Sequence, residues 1–240
     1  LCPALGIAIP VGKDSLSMKT AWRDPVSGTD HSVVAPVSLI VSAFAPVQDA
    51  RRTWTPQLRT DAGATRLLHV SLNGLRHRLG GSVFAQVHGE LGDECPDLDK
   101  PARLVSFAAA LCTLRDAGHV LAYHDVSDGG LFATLAEMAF AAKMVILDVN
   151  LPGKEGSAVE QLFAEEPGVV LQVRAAALDA LQVTWRLHGL EHCVREIGAP
   201  AVDMRVRIAV GEAALDISWR ELREAWSRTS CEMRRLRDEP

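Results

Sequence analysis

The stretch Ala122-Tyr123-His124-Asp125-Val126-Ser127-Asp128-Gly129-Gly130-Leu131 decides the fold. The apolar run 120–123 leads into it and reads as a buried strand. Leu131, Leu135, Met138 and Ala142 lead out at helical spacing and share one face. Between strand and helix lie two carboxylates, a hydroxyl and two glycines. A turn of this kind gathers backbone N–H groups at the positive end of a helix dipole. Its carboxylates suit a hard cation such as Mg²⁺ beside a phosphate, and its glycines let the backbone approach a ligand closely. A plainer reading stands beside this one: Asp128 caps the helix and the glycines ease the turn. His124 likewise reads either as a hydrogen-bonded core histidine or as a catalytic group.

Outward from that turn, the chain alternates strands and helices from residue 66 onward. The helices expected are 101–117, with Leu104, Phe107, Ala108, Leu111 and Leu114 on one face, then 129–142, a short one from Ser157 to Phe163, 175–187 and 218–233. The strands expected are 67–72, 120–123, 144–149, 169–173, 193–197, 206–210 and 215–217. This pattern predicts an α/β layer protein with helices on one side of a mixed sheet. Gly80-Gly81-Ser82 precedes a further helical pattern and marks a second glycine-then-helix turn.

The first 60 residues are richer in β-formers. Residues 5–11 read as a strand and 21–31 as a hairpin or exposed loop. Residues 32–46 read as a long strand kinked at Pro36. Residues 47–64 read as a short helix and connector, with a domain boundary near residue 60. Such a segment cannot close a core alone and needs further strands from elsewhere. Gly12-Lys13-Asp14-Ser15-Leu16-Ser17-Met18 suggests phosphate binding but is no Walker A loop. One residue too many separates Gly6 from Gly12, and Asp14 stands where Ser or Thr is needed. A polar surface turn is the alternative.

Composition excludes several classes. A net charge of −5, with no basic stripe, argues against nucleic-acid binding. No apolar run is long enough to cross a bilayer, and no signal-peptide pattern appears. The five cysteines are scattered and read as reduced thiols of a cytoplasmic protein. The eight histidines show no zinc-site spacing. The start at Leu1 suggests a piece of a longer chain.

Residues 10–20 and 124–131 together resemble the large, single-chain formylglycinamide ribonucleotide amidotransferases, or phosphoribosylformylglycinamidine synthases, of purine biosynthesis. Ser42-Ala43-Phe44-Ala45, Thr55-Pro56-Gln57-Leu58, Leu135-Ala136-Glu137-Met138-Ala139-Phe140-Ala141 and Met233-Arg234-Arg235-Leu236-Arg237-Asp238 agree in the same order. The resemblance implies the second of two fused copies of the aminoimidazole ribonucleotide synthetase fold. Residues 1–60 would end its β-rich domain and 61–232 form its α/β domain. Residues 233–240 would begin a linker towards a glutaminase domain.

It further implies an ATP-dependent ligase that makes formylglycinamidine ribonucleotide from formylglycinamide ribonucleotide, with ammonia from glutamine. Its partners would be these small molecules and the other domains of the same polypeptide. Asp125 would ligate Mg²⁺ and Ser127 would contact the nucleotide. Gly12, Lys13 and Ser15 would line a phosphate or substrate pocket. The family's second nucleotide site is structural, so the alternative role is a non-catalytic half that holds an auxiliary nucleotide and packs on the first. By that resemblance, Asp125 and Ser127 fall at the auxiliary site and the 12–15 loop faces the catalytic one. Val126 stands where many bacterial members carry a basic residue.

Overall fold

The computed structural model describes residues 1–13, 18–35, 39–142, 146–201 and 205–238. They divide into two compact units, Leu1–Arg51 and Arg52–Pro240.

The first unit holds a one-turn helix α1 (Cys2–Leu5) and an antiparallel hairpin of β1 (Lys19–Arg23) and β2 (Asp30–Val34). Asp24 closes the hairpin, its Oδ1 accepting the N–H groups of Val26 and Ser27 at 2.8 and 2.7 Å. The hairpin expected at 21–31 is therefore present. The strand expected at 5–11 is not: α1 ends at Gly6 in the left-handed conformation, and the chain then runs without a ladder. Alternating apolar residues make a strand only when another strand takes up their N–H and C=O groups, and here Ile7, Ile9 and Val11 stay exposed. The long strand expected at 32–46 stops at Val34; Pro36 lies outside the described residues, and residues 39–47 are irregular and exposed. No described residue of this unit is buried.

The second unit is built on a seven-stranded sheet of order β4-β6-β3-β7-β5-β8-β9. In chain order its elements are β3 (Thr65–Ser71), α2 (Val83–Val87), α3 (Pro101–Asp116), β4 (Val120–Val126), α4 (Gly130–Ala141), β5 (Ile146–Leu151) and α5 (Ala158–Phe163). Then follow β6 (Gly168–Arg174), α6 (Leu178–Leu187), β7 (Val194–Ala201), β8 (Arg205–Val210), β9 (Ala213–Ser218) and α7 (Trp219–Asp238). All strand pairs are antiparallel except β5 with β8.

The sheet is covered on both faces, which corrects the one-sided arrangement expected from the sequence. In β3, Leu67 enters one core while Leu68 and Val70 enter the other. β6 divides in the same way, Val170 against Val169, Leu171 and Val173. Strands buried on two faces read as continuous apolar runs, so alternation could not reveal the second layer. One core takes Leu131, Leu135 and Met138 of α4, Leu162 of α5 and Leu222 of α7. The other takes Phe107, Ala110 and Leu114 of α3 with Leu181 and Trp185 of α6. In α3, Ala110 is buried and Ala108 exposed, so the face is slightly rotated from the expected one. Ser157 and Glu160 form a complete capping box at α5. Gly118 and Gly189, with φ of 68° and 67°, follow the ends of α3 and α6.

Candidate functional site

The central turn joins β4, an edge strand, to α4. The strand runs three residues further than the apolar run suggested, so Asp125 is a strand residue paired opposite Val169. Pleating then divides the motif. His124 faces α4, where its Nε2 lies 2.9 Å from Glu137 Oε2. Asp125 stands on the opposite face beside Tyr123, whose hydroxyl donates to Asp125 Oδ1 at 2.6 Å. Tyr123 in turn stacks on Trp54 at 5.9 Å, and its backbone N–H donates to Thr55 O along the outer edge of β4.

His124 is thus a hydrogen-bonded residue. Its Nδ1 lies 2.8 Å from the carbonyl of Asp125 while Nε2 meets the Glu137 carboxylate. Both neighbours are acceptors, so the ring satisfies both when it carries two N–H groups. The Thr134 hydroxyl lies 3.0 Å from the same Asp125 carbonyl and 3.1 Å from that of Gly130. Glu137 also accepts from Trp226 Nε1 at 3.0 Å, which ties α7 to α4.

The turn itself requires glycine. Gly129 and Gly130 have φ of 82° and 67°, a region costly for side chains. A Cβ on Gly130 would lie 2.8–2.9 Å from the backbone of residues 162–164. Gly129, not Asp128, is the helix N-cap, and no side chain of the turn caps α4. This removes the plain capping role for Asp128. The N–H of Gly129 donates instead to Glu165 Oε1 at 2.9 Å, and the same oxygen accepts the N–H of Val83 at 2.9 Å. A carboxylate from the α5–β6 connection therefore already takes a donor at the start of α4. Nothing in the 122–131 stretch points to Glu165; its only signal is an acidic pair, Glu165-Glu166, just before an apolar strand.

Glu166 anchors the long segment between β3 and α3. Arg78 Nε and Nη2 bond its two oxygens at 2.7 and 2.8 Å, and Asn73 Nδ2 adds a third bond at 2.7 Å. Burial pushes the Glu166 carboxyl up, but the hydrogen bonds from Arg78 and Asn73 outweigh it and hold it below the usual glutamate range. The Arg78 hydrogen bond also lifts the guanidinium.

Asp125, Ser127 and Asp128 are exposed around the turn. Burial, together with the hydrogen bond to Asp125, pushes the Tyr123 phenol up, so it stays a neutral donor. Asp125 is then an acceptor with one oxygen committed to Tyr123 and the other without a partner among the described residues. Among the described residues, no group of three or more His, Cys, Asp or Glu side chains is placed to hold a metal ion. The donors fit Mg²⁺ in one way: a single hard carboxylate oxygen, with phosphate and water completing the octahedron. Gly12 and Lys13 lie exposed in the first unit, between α1 and β1, and Ser15 lies outside the described residues. Asp125 and Ser127 share one strand end in the second unit. The cysteines are all free thiols; Cys193 is buried, and burial raises its thiol.

A seven-stranded mixed sheet covered by helices on both faces, with a glycine turn at the end of an edge strand, defines a layered α/β domain. Residues 66–208 match the family described as AIR synthase related protein, C-terminal domain, and the chain belongs to that family. Residues 1–46 match the FGAR-AT PurM_N-like domain. Among solved structures, the chain is similar to Thermotoga maritima PurL complexed with FGAR, at 14% identity and a TM-score of 0.58 over 80% of this chain and 30% of that one. It is also similar to PurLQS from Thermotoga maritima (11%, TM-score 0.55, 72% and 28%) and to T. maritima PurL complexed with ATP (10%, 0.54, 80% and 28%). These likenesses carry the fold, which is the one the resemblance implied. The chain spans 28–30% of the length of these structures. Among the described residues, no helix is long and apolar enough to cross a membrane.

Proposed function

We propose that this chain is the second synthetase half of a formylglycinamide ribonucleotide amidotransferase, and that the β4–α4 turn contacts a Mg²⁺–nucleotide. One observation carries the reading: Asp125 projects from a strand end locked by Tyr123, His124 and Thr134, with an open carboxylate oxygen beside a two-glycine turn. Asp125 would hold the cation, whose charge would offset that of the phosphates. Ser127 would contact the nucleotide, and Gly12, Lys13 and Ser15 would line the phosphate or substrate pocket.

In this reaction the substrate's amide oxygen takes the γ-phosphoryl group of ATP and ADP leaves. Ammonia then adds to the activated carbon, phosphate departs, and the amidine remains. Such chemistry asks the protein for positioned charge rather than for a nucleophile. A lysine at position 13 suits that demand. The reading is tested by following ADP formation in the intact protein with ATP, Mg²⁺, ammonia and formylglycinamide ribonucleotide. ADP release should depend on the ribonucleotide, and Lys13→Ala should lower turnover. ADP release that ignores the ribonucleotide would overturn it.

A second reading has its own support. Glu165 already occupies the Gly129 N–H, a donor that an active phosphate site would use. That favours an auxiliary nucleotide held for structure. Asp125→Asn would then lower the melting temperature in MgATP and leave turnover per folded molecule unchanged.

A further inference from the structure

Between β3 and α3, residues 80–94 form a closed loop that carries α2. The Gly80 N–H donates to Glu94 O at 2.7 Å and the Gly81 N–H to Leu91 O at 2.6 Å, so the two ends of the loop meet. This neck demands glycine. A Cβ on Gly80 would lie 2.5 Å from Glu94 O, and one on Gly92 would lie 2.8 Å from Gly80 Cα. A compact surface loop of this length with touching ends is an Ω-loop, a form that often carries function.

Little holds the loop to the rest of the α/β unit. Of residues 80–94, only Gly80, Ser82 and Ala85 are buried, while Val87 and Leu91 are 72% and 74% exposed. Among the described residues, one hydrogen bond leaves the loop beyond its neck: the Val83 N–H donates to Glu165 Oε1 at 2.9 Å. Phe84 adds a ring contact, stacked on Phe163 at 4.9 Å. The chain just before the loop is held quite differently, since Asn73 and Arg78 are pinned by the buried Glu166. A segment with so few buried contacts opens at lower free energy than the whole fold. Its tie is also shared: Glu165 Oε1 accepts the Gly129 N–H of the β4–α4 turn as well. Loss of the Val83 bond returns rotamer freedom to the Glu165 side chain and so weakens its hold on Gly129.

We propose that residues 80–94 are a lid latched to the start of α4. The loop swings at its Gly80–Gly92 neck, Glu165 is the latch, and one opening event frees both the loop and the Gly129 N–H. The inference concerns the opening itself and does not depend on the ligand assigned to the turn.

Native-state hydrogen exchange of the intact protein, read amide by amide in low urea, tests this. The amides of Val83, Ala85, Gln86 and Glu90 should exchange through one common opening together with that of Gly129. That opening should be at least tenfold more frequent than the one that exposes Leu68 and Val70 in the central strand β3. Glu165→Ala should speed exchange of the loop amides by about tenfold, the scale of one hydrogen bond to a charged group. His188 and Gly189, at the end of α6 in the other layer, should keep their wild-type rates. Loop amides that exchange only with those of β3 would overturn the proposal. A Gly129 amide that stays protected while the loop opens would overturn it equally, as would unchanged loop exchange in a folded Glu165→Ala protein.

Discussion

Glu165 Oε1 accepts the backbone N–H of Gly129 at 2.9 Å and that of Val83 at the same distance, so one carboxylate links the starts of α4 and α2. Both donors lie at helix N-termini, where negative charge is favoured. Glu165→Ala leaves both unmet and should lower stability by about 1–3 kcal/mol. Urea denaturation followed by circular dichroism measures this. A change within experimental error would show that water replaces the carboxylate without loss.

Gly130 and Gly118 form a matched pair. Both have positive φ, 67° and 68°. Gly130 also meets backbone within 3 Å of where a Cβ would stand, whereas Gly118 has open space. Gly118→Ala should cost only conformational strain, about 1–3 kcal/mol. Gly130→Ala adds a clash with residues 162–164 that no rotamer relieves and should cost more than the 1–3 kcal/mol of strain alone. Midpoints in urea compare the two, and equal values would contradict the packing described.

Arg78 and Glu166 are 10% and 6% exposed at the side chain. Removing either partner strands the other charge, at about 3–5 kcal/mol for a buried pair. Glu166→Ala should therefore loosen the segment between β3 and α3, seen as proteolytic cleavage within residues 72–100 before global unfolding. Resistance equal to wild type would mean that Asn73 and Asp99, whose carboxylate accepts from Arg78 Nη1 at 3.3 Å, suffice to hold that segment.

His69 gives a pH dependence with a definite sign. Desolvation, then the nearby Arg195 and His77, push its pKa from 6.5 down to about 4. The folded ring stays neutral while the unfolded chain takes up a proton. Stability is thus fully present above about 6.5 and is lost as pH falls towards 4. His77 is lowered as well, again chiefly by desolvation, and adds to the same limb. His69→Gln should flatten the fall in melting temperature between pH 6.5 and 4 without abolishing it. An unchanged slope would remove His69 as a source.

Much of the α/β unit was legible in the sequence because its signals are local. Ser157 with Glu160, Pro101 and the glycines after α3 and α6 mark helix ends by short-range chemistry. The α4 face shows in the spacing of Leu131, Leu135 and Met138. Three things were not legible. The second helical layer was hidden because the doubly buried strands read as plain apolar runs. The division of His124 from Asp125 depends on where β4 ends, which the apolar run 120–123 understates. Glu165 reaches the turn from 36 residues away in sequence, and no local pattern carries that contact. Residues 5–11 misled in the other direction, since β-like alternation gives no ladder without a partner strand.

The central claim is that Asp125 holds the cation of a bound nucleotide. Calorimetric titration of MgATP into wild type and Asp125→Asn tests it most directly, with matching thermal melts as the control for folding. The substitution keeps the Tyr123 hydrogen-bond acceptor and removes the charge. Affinity should fall by about tenfold or more, since even changes to the outer-shell partners of metal ligands cost on that order. Wild-type affinity in a folded Asp125→Asn protein would contradict the account.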